Sequence, residues 1–145
     1  MAGPAQGAKV QGPQRDAGAS QAAALVPLKD QAMSVSAIWG KCFEADHERY
    51  GHIIDPRTGR PAARAVLAVV VLNSATETDA LSTALLTLGP EGHDQIAGLR
   101  AEMRTLVVTR SGARFSARHK GITPHLGQEP SDGSQKNCEF IQKPV

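Results

Sequence analysis

The rhythm of apolar and polar positions changes several times along this chain, and each rhythm predicts an element. Residues 32–38 (AMSVSAI) alternate between small polar and apolar side chains, the period-2 pattern of a strand. Residues 41–45 and 48–54 flank Asp46-His47 and predict a hairpin. The following Asp55-Pro56-Arg57-Thr58-Gly59 is a turn signal, because Pro presets φ and Gly permits positive φ. Residues 65–72 (AVLAVVVL) form an unbroken, largely β-branched run, expected of a strand buried on both faces. The period then lengthens to that of a helix. Ser74 stands three residues before Glu77, the capping-box spacing in which each side chain bonds the other's backbone N–H. Ala80, Leu81, Ala84, Leu85 and Leu88 follow as one apolar stripe. Gly89 ends this helix, and Pro90 suits the first turn of a short second one reaching about Glu102. Residues 104–109 predict a further strand, paired with 113–117 across Ser111-Gly112. Strands, two helices and more strands on a small core make an α+β fold with a mixed or antiparallel sheet.

The pattern fades at both ends. Residues 1–24 are small, polar or Gly/Pro, with Val10 the single sizeable apolar side chain, so burial there does not offset the entropy of ordering. The expected organisation is a disordered segment over 1–27, an ordered centre over 28–118, and a disordered or loosely packed tail over 119–145. Within that tail only Ile122, Leu126, Phe140 and Ile141 offer packing surface.

Composition sharpens this. Five aromatic residues in 145 make a thin core, since aromatics bury the most area each. Sixteen Lys and Arg against 14 Asp and Glu leave a net charge of +2, which excludes a nucleic-acid binder working by massed charge. No apolar run approaches the roughly 18 residues of a transmembrane segment, and the first fourteen residues lack the apolar stretch of a secretory signal. Cys42 and Cys138 stand far apart, without partners at zinc-site spacing, and are expected as free thiols.

Two segments carry chemistry. Tyr50-Gly51-His52-Ile53-Ile54-Asp55-Pro56-Arg57-Thr58-Gly59-Arg60-Pro61 crowds an imidazole, a carboxylate and a guanidinium beside a rigid turn. One reading makes His52 a proton-transfer group and Arg57 a phosphate holder. The other makes the segment a structural turn, with Asp55 accepting backbone N–H bonds, Arg57 solvated and His52 half-buried on a strand. The second segment is Thr78-Asp79-Ala80-Leu81-Ser82-Thr83-Ala84. Asp79 and Thr83 lie one helical turn apart, so their oxygens project from one face and suit a hard cation such as Mg²⁺. The alternative has Asp79 offsetting the helix dipole and Thr83 bonding back to the carbonyl of residue 79. His47, His52 and Asp55 are too irregularly spaced for a zinc site. His93, His119 and His125 sit among polar residues and are expected to be solvated, as is the mild basic cluster Arg110, Arg114, Arg118, His119 and Lys120. Trp39 is expected to pack rather than to serve as a stacking platform.

Residues 28–115 resemble the C-terminal half of the FAD:protein FMN transferases, the ApbE-like flavin transferases. The resemblance rests on the segment at 50–61, the apolar strand after it, Thr-Asp-Ala-Leu-Ser-Thr-Ala at 78–84, and Leu-Leu-Thr-Leu-Gly-Pro-Glu at 85–91, in matching order and interval. Where many members carry Thr-Ser-Gly, this chain has Val35-Ser36-Ala37.

The resemblance implies an enzyme that cleaves the pyrophosphate of FAD and joins FMN to a Thr or Ser hydroxyl of an acceptor flavoprotein, releasing AMP with the support of Mg²⁺. It implies Asp79 and Thr83 as metal ligands and His52 as the group assisting deprotonation of the acceptor hydroxyl. His52 and the backbone at Ile53 would lie against the flavin nucleotide. Members are roughly twice as long as this chain, the size of a two-layer domain of about 250–300 residues. The expectation is therefore the C-terminal part of such a domain. The alternative is an inactive or partner-binding remnant that needs the N-terminal half. The resemblance implies that many members are exported lipoproteins, whereas neither a signal nor a lipobox cysteine is expected from residues 1–24, so the resemblance assigns no compartment.

Overall fold

The computed structural model describes residues 6–11, 22–39, 41–45, 48–112 and 114–125. Ten strands and two helices follow in chain order. They are β1 (Gln6–Gln11), β2 (Ala22–Leu28), β3 (Ala32–Ala37), β4 (Cys42–Ala45), β5 (Glu48–Gly51), β6 (Ile54–Asp55), β7 (Arg60–Pro61), β8 (Leu67–Leu72), α1 (Ala75–Leu88), α2 (His93–Ala97), β9 (Arg104–Ser111) and β10 (Arg114–Lys120). A single 3₁₀ turn, Pro90–Gly92, separates the helices. Four strands make the central sheet in the order β10-β9-β8-β3, antiparallel throughout, and the fold is α+β as expected.

Strand β8 is the axis of the molecule. All six of its residues are buried, because both sheet faces are covered. Ala68, Val70 and Leu72 meet Leu85 and Leu86 of α1, together with Ile96, Met103 and Val107. Leu67, Val69 and Val71 point the other way, with Leu106 and Val108, onto Val10, Ala23, Ala24, Val26 and Ile122. That second layer corrects the expected disorder of 1–27. Strands β1 and β2 pair antiparallel from Gln6↔Leu28 to Gln11↔Ala22, and Val10, Ala24 and Val26 are almost fully buried. Small side chains suffice here because the neighbouring sheet face is already apolar, with Leu67, Val69, Val71, Leu106 and Val108 supplying the volume that the alanines pack against. Residues 1–5 and 12–21 lie outside the described residues.

The tail is also corrected over its first residues. Strand β10 continues to Lys120, Ile122 enters the core, Pro124 bridges to Ala24, and His125 N–H donates to the Ala23 carbonyl at 2.7 Å. Leu126, Phe140, Ile141 and Cys138 lie outside the described residues, as does the side chain of Cys42. Trp39 is half-buried and packs against the core that β1 and β2 share with β8 and β9, as expected.

Helix α1 starts where the sequence predicts. Ser74 Oγ accepts from Glu77 N–H at 3.3 Å. The reciprocal half of the capping box is replaced, because the Glu77 carboxylate accepts from Arg100 Nη2 at 2.8 Å. The buried face is rotated from the predicted stripe: Ala80 is exposed, whereas Thr78 and Ser82 are buried with Leu85 and Leu86. Thr78 satisfies its hydroxyl on the Ala75 carbonyl at 2.7 Å. The second helix is shorter than predicted, ending at Gly98, whose N–H bonds the Asp94 carbonyl at 3.0 Å.

Gly89 closes α1 at φ 73°, ψ −162°, a region open essentially to glycine. A Cβ there would stand 2.7 Å from Arg64 Cβ and 3.3 Å from the Arg64 carbonyl oxygen. Gly89→Ala is expected to destabilise the fold by about 2–4 kcal/mol, combining backbone strain with overpacking. The corresponding drop in melting temperature, about 10 °C or more for a domain of this size, is checked by circular dichroism.

Candidate active site

Strand β3 is the end strand of the sheet beside α1. In the register Ala32↔Leu72 to Ala37↔Leu67, Ser34 and Ser36 stand opposite Val70 and Ala68, on the face that α1 covers. Alternation alone would turn these serines to solvent. Instead they meet the polar side of α1. Ser34 Oγ donates to Asp79 Oδ1 at 3.3 Å, Ser36 Oγ lies 2.8 Å from Ser82 Oγ, and Ser36 Oγ lies 3.1 Å from Thr83 Oγ1. Thr83 thus points across to β3, and the hydroxyl that bonds back to the Asp79 carbonyl belongs to Ser82, at 3.1 Å.

The hairpin β4–β5 ends at Gly51, three residues earlier than predicted, so His52 and Ile53 lie outside the strand. His52 is exposed, and its Nδ1 lies 2.9 Å from the Lys41 carbonyl oxygen. A carbonyl only accepts, so this contact places the proton of a neutral imidazole on Nδ1 and leaves the Nε2 lone pair free to take one. Ile53 is half-buried, with its carbonyl accepting from Ala62 N–H at 2.8 Å. Asp79, Thr83, His52 and Ile53 line one open cleft of about 650 Å³, together with Val35, Ser36, Ala37, Trp39, Lys41 and Ile54.

Asp55 and Arg57 have a different task from the one a phosphate site would need. Asp55 is buried and accepts from Arg57 N–H and Nε, both at 2.9 Å, and from Nη2 at 2.7 Å. Arg57 Nη2 also donates to the Thr87 carbonyl at 3.1 Å near the end of α1. The guanidinium is therefore committed to tying the 55–59 turn to the helix. Its side-chain and backbone bonds hold the Asp55 carboxyl at about 2, below its ordinary 3.8. With the folded value depressed, the pairing stabilises the fold above the ordinary value and is lost as pH falls from about 3.8 to about 2. Asp55→Asn is expected to remove that component of the acid transition; identical pH–stability curves for both proteins would refute it.

The zinc candidates weighed above have other neighbours or lie outside the described residues. His52 Nδ1 is taken by the Lys41 carbonyl, Asp55 is taken by Arg57, and His47 lies outside the described residues. His93 departs from expectation: it is buried, with Nδ1 2.9 Å from Asp94 Oδ1 and Nε2 3.0 Å from Thr105 Oγ1. The bond from His93, and next the charge of Arg118, hold the Asp94 carboxyl below the usual carboxylate range. Arg118 and Lys120 are likewise occupied, donating to Pro90 and Asp94 and to the Ala97 and Arg100 carbonyls.

The donor set around Asp79 consists of hard oxygens, which suit Mg²⁺ rather than a soft metal. Among the described residues no three His, Cys, Asp or Glu side chains gather, so a cation held here would complete its shell with water, backbone or substrate oxygens.

The sequence profile of the ApbE family matches residues 4–107. The chain belongs to this family. It is 33% identical over 93 residues to an FAD:protein FMN transferase of Escherichia coli K12, a match covering 63% of this chain and 26% of that relative. Among solved structures it resembles the flavinyl transferase ApbE of Pseudomonas stutzeri in its apo form, with 32% identity and a TM-score of 0.52 over 68% of this chain and 31% of that one. It also resembles the flavin transferase ApbE of Vibrio cholerae, with 27% identity and a TM-score of 0.62 over 81% of this chain and 36% of that one. The matched segments cover about a quarter to just over a third of the length of these ApbE relatives.

In this ApbE-family chain the cleft also holds residues that sequence reasoning passed over. Lys41 and Ser36 line it, and Ser34 and Ser82 stand behind Asp79. The available signal was two serines at i, i+2 in a strand that faces a helix carrying a third serine beside an Asp and a Thr.

Proposed function

We propose that this chain carries catalytic machinery for moving FMN from FAD to a Thr or Ser hydroxyl of an acceptor flavoprotein, with AMP as leaving group. The observation that supports this best is the convergence of His52, Ile53, Asp79 and Thr83, distant in sequence, on one cleft. Phosphoryl transfer needs alignment and charge neutralisation more than covalent help from the protein; these residues would align the reactants, and the cation they would hold supplies the neutralisation. The His52 Nε2 lone pair takes the proton as the acceptor oxygen bonds to the FMN phosphorus. The phosphoanhydride bond to AMP breaks in the same displacement. The rigid backbone at Ile53, tied to Ala62, gives the nucleotide a fixed wall. Asp79 and Thr83 would hold Mg²⁺, which when bound neutralises charge on the pyrophosphate. Lys41, which also lines the cleft, adds positive charge for the same anion.

The test is direct. The chain is incubated with FAD, Mg²⁺ and an acceptor flavoprotein, and the denatured acceptor is examined in a gel for flavin fluorescence. Covalent fluorescence that requires both FAD and Mg²⁺ supports the proposal. A folded chain that leaves the acceptor dark overturns it.

A further inference from the structure

The hydroxyls between β3 and α1 form a continuous path whose direction can be derived. Its members are Thr83 Oγ1, Ser36 Oγ, Ser82 Oγ, Ser34 Oγ and Asp79 Oδ1, with successive separations of 3.1, 2.8, 3.1 and 3.3 Å. Each hydroxyl has one proton to give, whereas an ionised carboxylate only accepts. The Asp79 end therefore sets the polarity. Ser34 donates to Asp79, which leaves the Ser34 oxygen to accept from Ser82. Ser82 shares its one proton between Ser34 Oγ and the Asp79 carbonyl, each at 3.1 Å, and therefore accepts from Ser36. Ser36 in turn accepts from Thr83. Ser36 and Ser82 are buried, so water does not substitute readily for either.

This polarity has a consequence for Thr83. With its proton directed to Ser36, its oxygen lone pairs remain for an external ligand. Asp79 Oδ1 is anchored by Ser34, which restricts rotation of the carboxylate and leaves Oδ2 without a hydrogen bond among the described residues. We infer that Ser34, Ser36 and Ser82 are positioning residues that orient Asp79 and Thr83 together as ligands of a divalent cation. The inference rests on the metal-site reading proposed above and adds the residues that set its geometry. Such outer partners characteristically change metal affinity by about 10- to 100-fold when removed.

The experiment uses the whole chain and two readouts. Mn²⁺ affinity, measured by electron paramagnetic resonance without nucleotide, is expected to fall about 10- to 100-fold in Ser36→Ala and Ser82→Ala and to recover in Ser36→Thr, which restores the hydroxyl. The Asp79 χ1 rotamer, read from NMR three-bond couplings without metal, is expected to be single in wild type and averaged in Ser82→Ala. Unchanged affinity together with an unchanged rotamer overturns the inference. A wild-type chain that binds no Mn²⁺, yet loses its single Asp79 rotamer in Ser82→Ala, supports the hydroxyl chain and sinks the metal assignment. A rotamer still single in Ser82→Ala, with reduced affinity that Ser36→Thr fails to restore, also counts against the chain.

Discussion

Replacing Asp79 with alanine is expected to lower Mg²⁺-dependent flavin transfer by about 10²- to 10³-fold, the usual cost of removing one preorganised group that handles transition-state charge. The carboxylate is exposed at the cleft and carries no core packing, so melting should hardly change. Asp79→Asn sharpens the test. It keeps the acceptor for the Ser34 hydroxyl but removes the charge, so it should lose most of the activity and regain part of it at high Mg²⁺. Transfer rates and metal dependence in both variants decide the matter. Wild-type rates in Asp79→Ala would remove Asp79 from the site altogether.

The second large effect is expected at His52. In His52→Gln the side chain can still hydrogen-bond but cannot take a proton, and transfer should fall by about 10²- to 10⁴-fold. Because Nδ1 is engaged by the Lys41 carbonyl, the loss should track the free Nε2. Added imidazole should then restore part of the rate to His52→Ala, in proportion to its unprotonated fraction. If instead FAD affinity collapses while the rate at saturation holds, His52 is a nucleotide contact and not a base.

Much of this site was legible in the sequence, for identifiable reasons. Strand β8 announces itself because a strand buried on both faces is apolar without interruption. Helix α1 announces its start because Ser74 has a local partner in Glu77 N–H. Asp79 and Thr83 need only helical periodicity to share a face, and the motif at 50–61 brought His52 into consideration.

What escaped depends on distant partners. The pairing of β1 with β2 relies on Val10 and a few alanines, whose value comes from the sheet they cover and not from their own hydrophobicity. Ser34 and Ser36 look like solvent-facing positions until α1 lies over them. The turn at 55–59 was correctly readable as an Asp55-capped turn. The anchoring of Arg57 on Thr87, thirty residues away, was not. His93 followed the same rule, since its burial depends on Thr105 from the next strand.

The stitching of residues 23–24 to 124–125 bears on how the chain acquires its structure during synthesis. These segments leave the ribosome about a hundred residues apart, which at about 5–20 residues per second is a wait of roughly 5–20 seconds. Over most of that interval β1 and β2 lack the β8–β9 face to cover, and over all of it they lack the strap at Pro124. Their alanine-rich, weakly apolar composition, which hid them from a reading of the sequence, also lowers their tendency to aggregate while they wait in water. A more hydrophobic hairpin would have been easier to recognise and riskier to expose before its partner strands emerge.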